Sequence, residues 1–271
     1  MQPRLSIEHL TKHYHAQRAL DDLSITVRRG VIFGLLGRNG AGKTTTFSCA
    51  LGLRRPTSGR ILFNGLPLCA EARNDLAYVP EAPELYEWMT AQQHIEFLRR
   101  VYARFDRKRA CELAEMFEIP MNRRVRLLSK GQRTAVALML AFARGCDLFF
   151  LDEPSSGLDI AQQQRLLELL LRSASDGATI LLSSHHIGHV ERTSEELAIL
   201  DRGRVVVQGN TDEIRERHRI VEAIVRGDVI RRRVAEDADA VATALARDGA
   251  IDVRIVHQTL EDIFLEVTGA A

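Results

Sequence analysis

An apolar run, Val31–Leu36, leads directly into Gly37-Arg38-Asn39-Gly40-Ala41-Gly42-Lys43-Thr44, and a helical pattern, Thr45–Leu53, follows it. The eight residues fit G-x-x-x-x-G-K-[ST]. A strand that ends in a glycine-rich turn and starts a helix gathers main-chain N–H groups around one point, so this segment predicts a β-loop-α unit inside an α/β fold. Such a turn suits a phosphate: the amides surround it, Lys43 reaches the β and γ oxygens, and Thr44 offers its hydroxyl to Mg²⁺. Gly37 to Thr45 is therefore the candidate nucleotide-binding segment.

The rest of the chain agrees with that fold class. Short runs rich in Ile, Val and Leu at Ser24–Val27, Leu148–Leu151, Thr179–Leu182 and Leu197–Leu200 alternate with helical patterns, which predicts an α/β domain around a mostly parallel sheet. Leu148-Phe149-Phe150-Leu151 has no polar alternation, as expected of a central strand covered on both faces. The turn signals Pro56-Thr57-Ser58-Gly59 and Asn64-Gly65 bracket Arg60–Phe63, which predicts a short antiparallel strand near an edge. From about Ala91 to Ala143 the pattern is helical, over Gln92–Phe105, Arg107–Phe117 and Gly131–Ala143, and predicts a helical subdomain inserted at about 82–145. A boundary near Arg217-His218-Arg219 divides a main domain, 1–217, from a small α/β appendage, 218–271. In the appendage a helix is expected at Ala238–Ala246, a strand at Ile251–Val256 and a final helix at Leu260–Val267.

Composition removes some classes. Lys and Arg number 37 against 36 acidic residues, a formal charge of +1 that gives no electrostatic case for broad nucleic-acid binding. The four cysteines, Cys49, Cys69, Cys111 and Cys146, stand far apart, against a zinc knuckle or a disulfide framework and in favour of reduced thiols. Met1-Gln2-Pro3-Arg4 does not begin a signal peptide, and no stretch approaches the roughly 20 apolar residues needed to cross a bilayer. The longest apolar helix candidate, Thr134–Ala143, reads as a buried core helix.

Two adjacent carboxylates, Asp152 and Glu153, end the buried Leu148–Leu151 run. At a strand end facing the phosphate loop, the first suits a Mg²⁺ contact and the second accepts a proton from an attacking water. An acidic turn opening a helix is the plainer alternative.

The order of motifs resembles that of the ATP-binding subunits of ABC transporters over essentially the whole chain. Tyr14 resembles the aromatic that stacks on adenine, with His15 where the family often has Gly. Tyr78-Val79-Pro80-Glu81 resembles the Q-loop, Leu128-Ser129-Lys130-Gly131-Gln132 the signature, and Leu151–Pro154 the Walker B end. Ser156–Asp159 resembles the D-loop, and Ser184-His185 the switch histidine. The resemblance implies two ATP molecules, with Mg²⁺, sandwiched between two subunits. Ser129, Gly131 and Gln132 would then act on the partner's ATP, with Asp159 near the same interface; Glu153 would be the general base and His185 would contact the γ-phosphate. It also implies a second, identical or homologous subunit, a separate multi-span membrane permease, a place on the cytoplasmic face of the membrane, and no nucleic acid.

Two positions depart from the family pattern. Glu81 stands where glutamine is usual and is a candidate metal ligand with Thr44 and Asp152; a carboxylate there either holds the metal more tightly or is repelled by the triphosphate. Lys130 replaces a glycine, and its ammonium either meets incoming phosphate or points to solvent. His185, His186 and His189 invite a metal reading through i,i+4 spacing on a predicted helix, but lack the His-Glu-x-x-His arrangement. Pro83–Met89, with the only tryptophan, Trp88, either borders a groove for the permease or packs the helical subdomain. The terminus Thr259–Gly269 resembles subunits associated with export of drugs, lipids or polysaccharides. A soluble ABC-type ATPase acting on ribosomes or nucleic acid, the other class considered, usually carries two cassettes in one chain or long coiled-coil insertions, and neither is present. A switch GTPase conflicts with Leu128–Gln132 and would need an Asn-Lys-x-Asp guanine reader.

Overall fold

The apolar strand before the phosphate loop lies inside a six-stranded sheet. This strand, β3 (Ile32–Gly37), is buried at every position. It pairs in parallel with β8 (Thr179–Ser184) on one side and β9 (Glu196–Asp201) on the other. Beyond β8 come β7 (Leu148–Asp152) and β6 (Leu76–Val79), also parallel, and β10 (Arg204–Asn210) runs antiparallel outside β9. The computed structural model describes residues 2–69, 72–225, 228–234 and 238–269. Positions 226–227, 235–237 and 270–271 of the expected appendage lie outside these described residues.

Alternation along these strands divides their side chains between two cores. Phe33, Leu35, Leu148, Phe150 and Leu181 face α1 (Lys43–Ala50) and an antiparallel sheet, and their cluster includes Phe47. Ile32, Leu36, Phe149, Leu151, Ile180 and Leu182 face helices. Those helices are α4 (Lys130–Phe142), α5 (Ile160–Ser175) and α6 (Ile187–Thr193). Phe150 meets Phe47 edge-on at 5.3 Å, while its neighbour Phe149 stacks on Phe142 at 4.3 Å on the opposite face. A parallel sheet covered on both sides reads as a continuous apolar run, which is why Leu148–Leu151 carried no alternation of polarity.

The antiparallel sheet has the order β2-β1-β4-β5, with β1 spanning Leu5–Tyr14, β2 Gln17–Val27, β4 Ser58–Phe63 and β5 Leu66–Pro67. The predicted strand Arg60–Phe63 falls in β4, which lies between β1 and the two-residue edge strand β5. Ser24–Val27 is only the end of the longer β2, whose pairing with β1 is interrupted by register shifts.

Helices α2 (Ala91–Val101), α3 (Arg107–Met116) and α4 pack on one another beside β6. Each starts on a side-chain cap, from Thr90, Asp106 and Ser129 respectively. The expected helix Gln92–Phe105 stops earlier, because Tyr102 turns extended (φ −112, ψ 115), and Arg144 lies 4.0 Å over its ring. Thr134–Phe142 is largely buried, as expected of a core helix. After α7 (Thr211–Arg217) the chain forms a three-stranded antiparallel sheet, ordered β12 (Asp228–Val234), β11 (Arg219–Val225), β13 (Ile251–His257), carrying α8 (Ala238–Arg247). The last helix, α9 (Leu260–Val267), leaves that sheet and packs against α6; Leu260, Ile263 and Phe264 are buried in the main core with Val190 and Ile214. No helix among the described residues is long and apolar enough to cross a membrane.

Candidate functional site

The carboxyl ends of β3, β7 and β8 lie side by side, which is where open parallel sheets gather ligand-binding groups. Gly37 ends β3, and the turn after it closes through Ala41 N–H donating to the Arg38 carbonyl at 3.0 Å. Gly42 caps α1 with φ 112, and a Cβ there would sit 2.7 Å from Leu20 Cδ2, so glycine is required on two counts. No side chain caps this helix end, which leaves its positive pole for an anion. Lys43 is almost fully buried; its ammonium donates to the Gly37 carbonyl at 2.7 Å and lies 3.5 Å from Glu153 Oε1.

Asp152, the last residue of β7, accepts from Thr44 Oγ1 at 2.7 Å and from Ser183 Oγ of the neighbouring strand. Glu153 then turns with φ 48, a strained conformation for a residue with a side chain. Its N–H donates to Ser183 O (3.1 Å) and Ser183 Oγ (3.2 Å), which holds the turn. Its carboxylate is buried; Oε2 lies 2.9 Å from His185 Nδ1, and Oε1 has no hydrogen-bond donor.

A cavity of about 590 Å³ opens over this edge. Arg38, Asn39, Gly40, Gly42, Lys43, Thr44 and Thr45 line it, together with Tyr14, Glu81, Glu153 and His185. Gly37 and Ala41 lie behind that surface: Gly37 supplies a carbonyl to Lys43, and the Ala41 carbonyl accepts from Gly203 N–H at 2.9 Å. Tyr14 ends β1 at the cavity rim, with the Lys12 ammonium 5.0 Å from its ring centroid. Sequence reasoning passed over Ser183, and also Gln17, Arg18 and Arg202, which line the same cavity. Ser183 carried a signal, a polar residue ending an otherwise apolar strand, but its partner lies 31 residues away.

The histidines divide. His185 precedes α6, so the helical i,i+4 spacing expected for it and His189 is absent: His185 meets Glu153, and His189 Nδ1 lies 3.1 Å from Ser155 Oγ. Burial, and then the nearby His186, hold the His189 pKa below the ordinary histidine value.

Residues 20–156, half of the chain, match the family model described as ABC transporter. The chain is 38% identical over 216 residues to the uncharacterized ABC transporter ATP-binding protein YhaQ of Bacillus subtilis, covering 78% of this chain and 72% of that protein. The chain belongs to the ABC transporter ATP-binding proteins. It is 36% identical over 225 residues to the Nod factor export ATP-binding protein I of Ralstonia nicotianae, covering 78% of this chain and 68% of the relative. A solved structure of an ATP-binding subunit of an ABC transporter superposes with a TM-score of 0.72 at 35% identity, covering 78% of this chain and 91% of that one. The activity of this family is that of an ATP-binding, ATP-hydrolysing subunit.

The segments that resemble the ABC signature and D-loop stand apart from this cavity. Ser129 and Gln132 form a reciprocal cap at the start of α4: Ser129 Oγ accepts from Gln132 N–H at 3.2 Å, and Gln132 Oε1 from Ser129 N–H at 3.1 Å. A Cβ on Gly131 would lie 2.3 Å from the Gly157 carbonyl oxygen, so the two ABC motifs touch directly. Asp159 is exposed and caps α5 through Gln162 N–H at 2.8 Å. None of Ser129, Gly131, Gln132 and Asp159 lines the cavity of its own phosphate loop.

Proposed function

We propose that this subunit hydrolyses ATP at two composite sites formed with a second copy or a homologous subunit. One observation carries the reading. The buried Glu153 carboxylate sits at the sheet edge between the Lys43 ammonium and His185, and its Oε1, 3.5 Å from that ammonium, accepts no hydrogen bond. That oxygen is the acceptor for a proton from water as the water attacks the γ-phosphorus and ADP leaves. The phosphate-loop amides and Lys43 hold the phosphates, and Tyr14 stacks on the base. His185, oriented by Glu153, reaches the γ-phosphate through its other ring nitrogen.

The donors around Asp152 fit a hard divalent cation, because Thr44, Asp152 and Glu81 all offer oxygen, and the Thr44 and Asp152 oxygens are 2.7 Å apart. Mg²⁺ held there would neutralise charge on the β- and γ-phosphates. The placement of Ser129, Gly131, Gln132 and Asp159 away from their own phosphate loop supports a role for them at the partner's ATP.

The partner in transport is a separate membrane permease, served from the cytoplasmic face. The exposed aromatics Tyr86 and Trp88, beside the start of α2, support this end of the molecule as the docking side. A relative that bears export in its name, with the segment Thr259–Gly269, favours export as the direction.

Glu153→Gln tests the base. We expect kcat to fall about 10²- to 10⁴-fold while ATP binding persists and an ATP-dependent dimer accumulates on size-exclusion chromatography. Retained turnover would remove Glu153 from this role.

A further inference from the structure

Lys130 opens α4, where the positive pole of a helix disfavours a cation. Its ammonium neither meets the phosphate cavity nor stands free in solvent, but donates to Ser156 Oγ at 2.8 Å. The stem of the side chain lies across Gly157, where an added Cβ would be 3.0 and 3.1 Å from Lys130 Cγ and Cδ. The next residue, Gly131, abuts the Gly157 carbonyl. Ser156 in turn donates its N–H to the Glu153 carbonyl at 2.9 Å. A continuous set of contacts therefore runs from the start of α4 to the turn that carries Glu153.

We propose that Lys130 is a positioning residue: its bond to Ser156 holds the Glu153 turn against the signature loop, so the two move as one body. This inference rests on the composite-site reading above. There the signature loop meets one ATP while Glu153 works on the other, and Lys130 links the two within one chain. An exposed ammonium–hydroxyl bond contributes little to folding, so its effect belongs in turnover and not in thermal stability.

The test is a double-mutant cycle on the full chain with Lys130→Met, Ser156→Ala and the combined variant, read as kcat, KM and melting midpoint. Each single change should lower kcat about fivefold with KM and midpoint little changed, and the combined variant should be no worse than either, as for residues acting through one contact. Lys130→Arg, which keeps the charge and the donor, should restore most of the loss. Three outcomes would overturn the tether: no loss of kcat, losses that multiply in the combined variant, or a rise in KM alone, which would mean direct contact with nucleotide. Glu153→Gln is measured beside them. If it accumulates no ATP-dependent dimer the composite-site reading fails, whereas a trapped dimer with multiplying losses removes only the tether.

Discussion

Gly131 shows how a single hydrogen atom in place of a side chain sets the distance between two functional loops. Its α-carbon faces the Gly157 carbonyl so closely that a methyl group would lie 2.3 Å from the oxygen, inside any tolerable contact. Backbone, not a flexible side chain, stands in the way, so the loops must separate to admit it. Gly131→Ala is therefore expected to overpack this junction by about 1–3 kcal/mol, which calorimetry would register as a fall of several degrees in the melting midpoint. Turnover should fall with it, because the Glu153 turn lies on the far side of the same junction. A midpoint equal to that of the unaltered chain would show that the two loops are not in contact.

At the scale of the element, the segment before α2 hangs on one histidine. His94 Nδ1 lies 2.9 Å from the Thr90 carbonyl, so that nitrogen carries the hydrogen, and Nε2 is left to accept from Tyr86 N–H at 3.1 Å. Tyr86 stacks on the imidazole and touches Trp88, the only tryptophan of the chain. Burial holds the His94 pKa below its ordinary 6.5. A histidine with a depressed folded value contributes docking that is fully present above 6.5 and is lost as pH falls through the folded value. Protonating Nε2 would also replace an acceptor with a donor opposite Tyr86 N–H. Trp88 fluorescence should accordingly titrate with a midpoint below 6.5, and His94→Phe should abolish that titration; persistence of the same curve in the variant would assign it to another group. The sequence made this α2 segment legible as a helix but not the role of His94, because the acceptor geometry depends on where Tyr86 returns. The same division holds at the nucleotide site. Gly37–Thr45 was readable because its chemistry is local to one turn, and Asp152 and Glu153 because they end one apolar strand. Ser183 was not readable, since its link to Asp152 exists only through pairing of β7 with β8. The same reason hid β1, whose apolar residues Leu5, Ile7 and Leu10 break step at a register shift, and misplaced His185 on a helix that begins at Ile187.

At the scale of the molecule, the sheet separates two cores, and the chain's last helix belongs to one of them. The small sheet β12-β11-β13 has its own modest cluster around Val221 and Ala238. By contrast, α9 inserts Leu260, Ile263 and Phe264 among Val190, Ile214 and the residues beneath β3 and β8. These two attachments predict different thermal behaviour for two substitutions of fully buried residues. Ile263→Ala removes side-chain volume from the core that supports α6, which follows His185, at about 2–5 kcal/mol. It should therefore lower the midpoint of the main transition and, with it, the temperature at which nucleotide binding is lost. Val221→Ala acts on the small sheet and should leave the main transition in place while loosening hydrogen-exchange protection along β11 and β13. If both substitutions moved the main transition equally, the small sheet would be part of the principal cooperative unit. If neither Ile263→Ala nor Val221→Ala moved the main transition, α9 would be an ornament of the appendage and not the strap that closes the ATP-binding body.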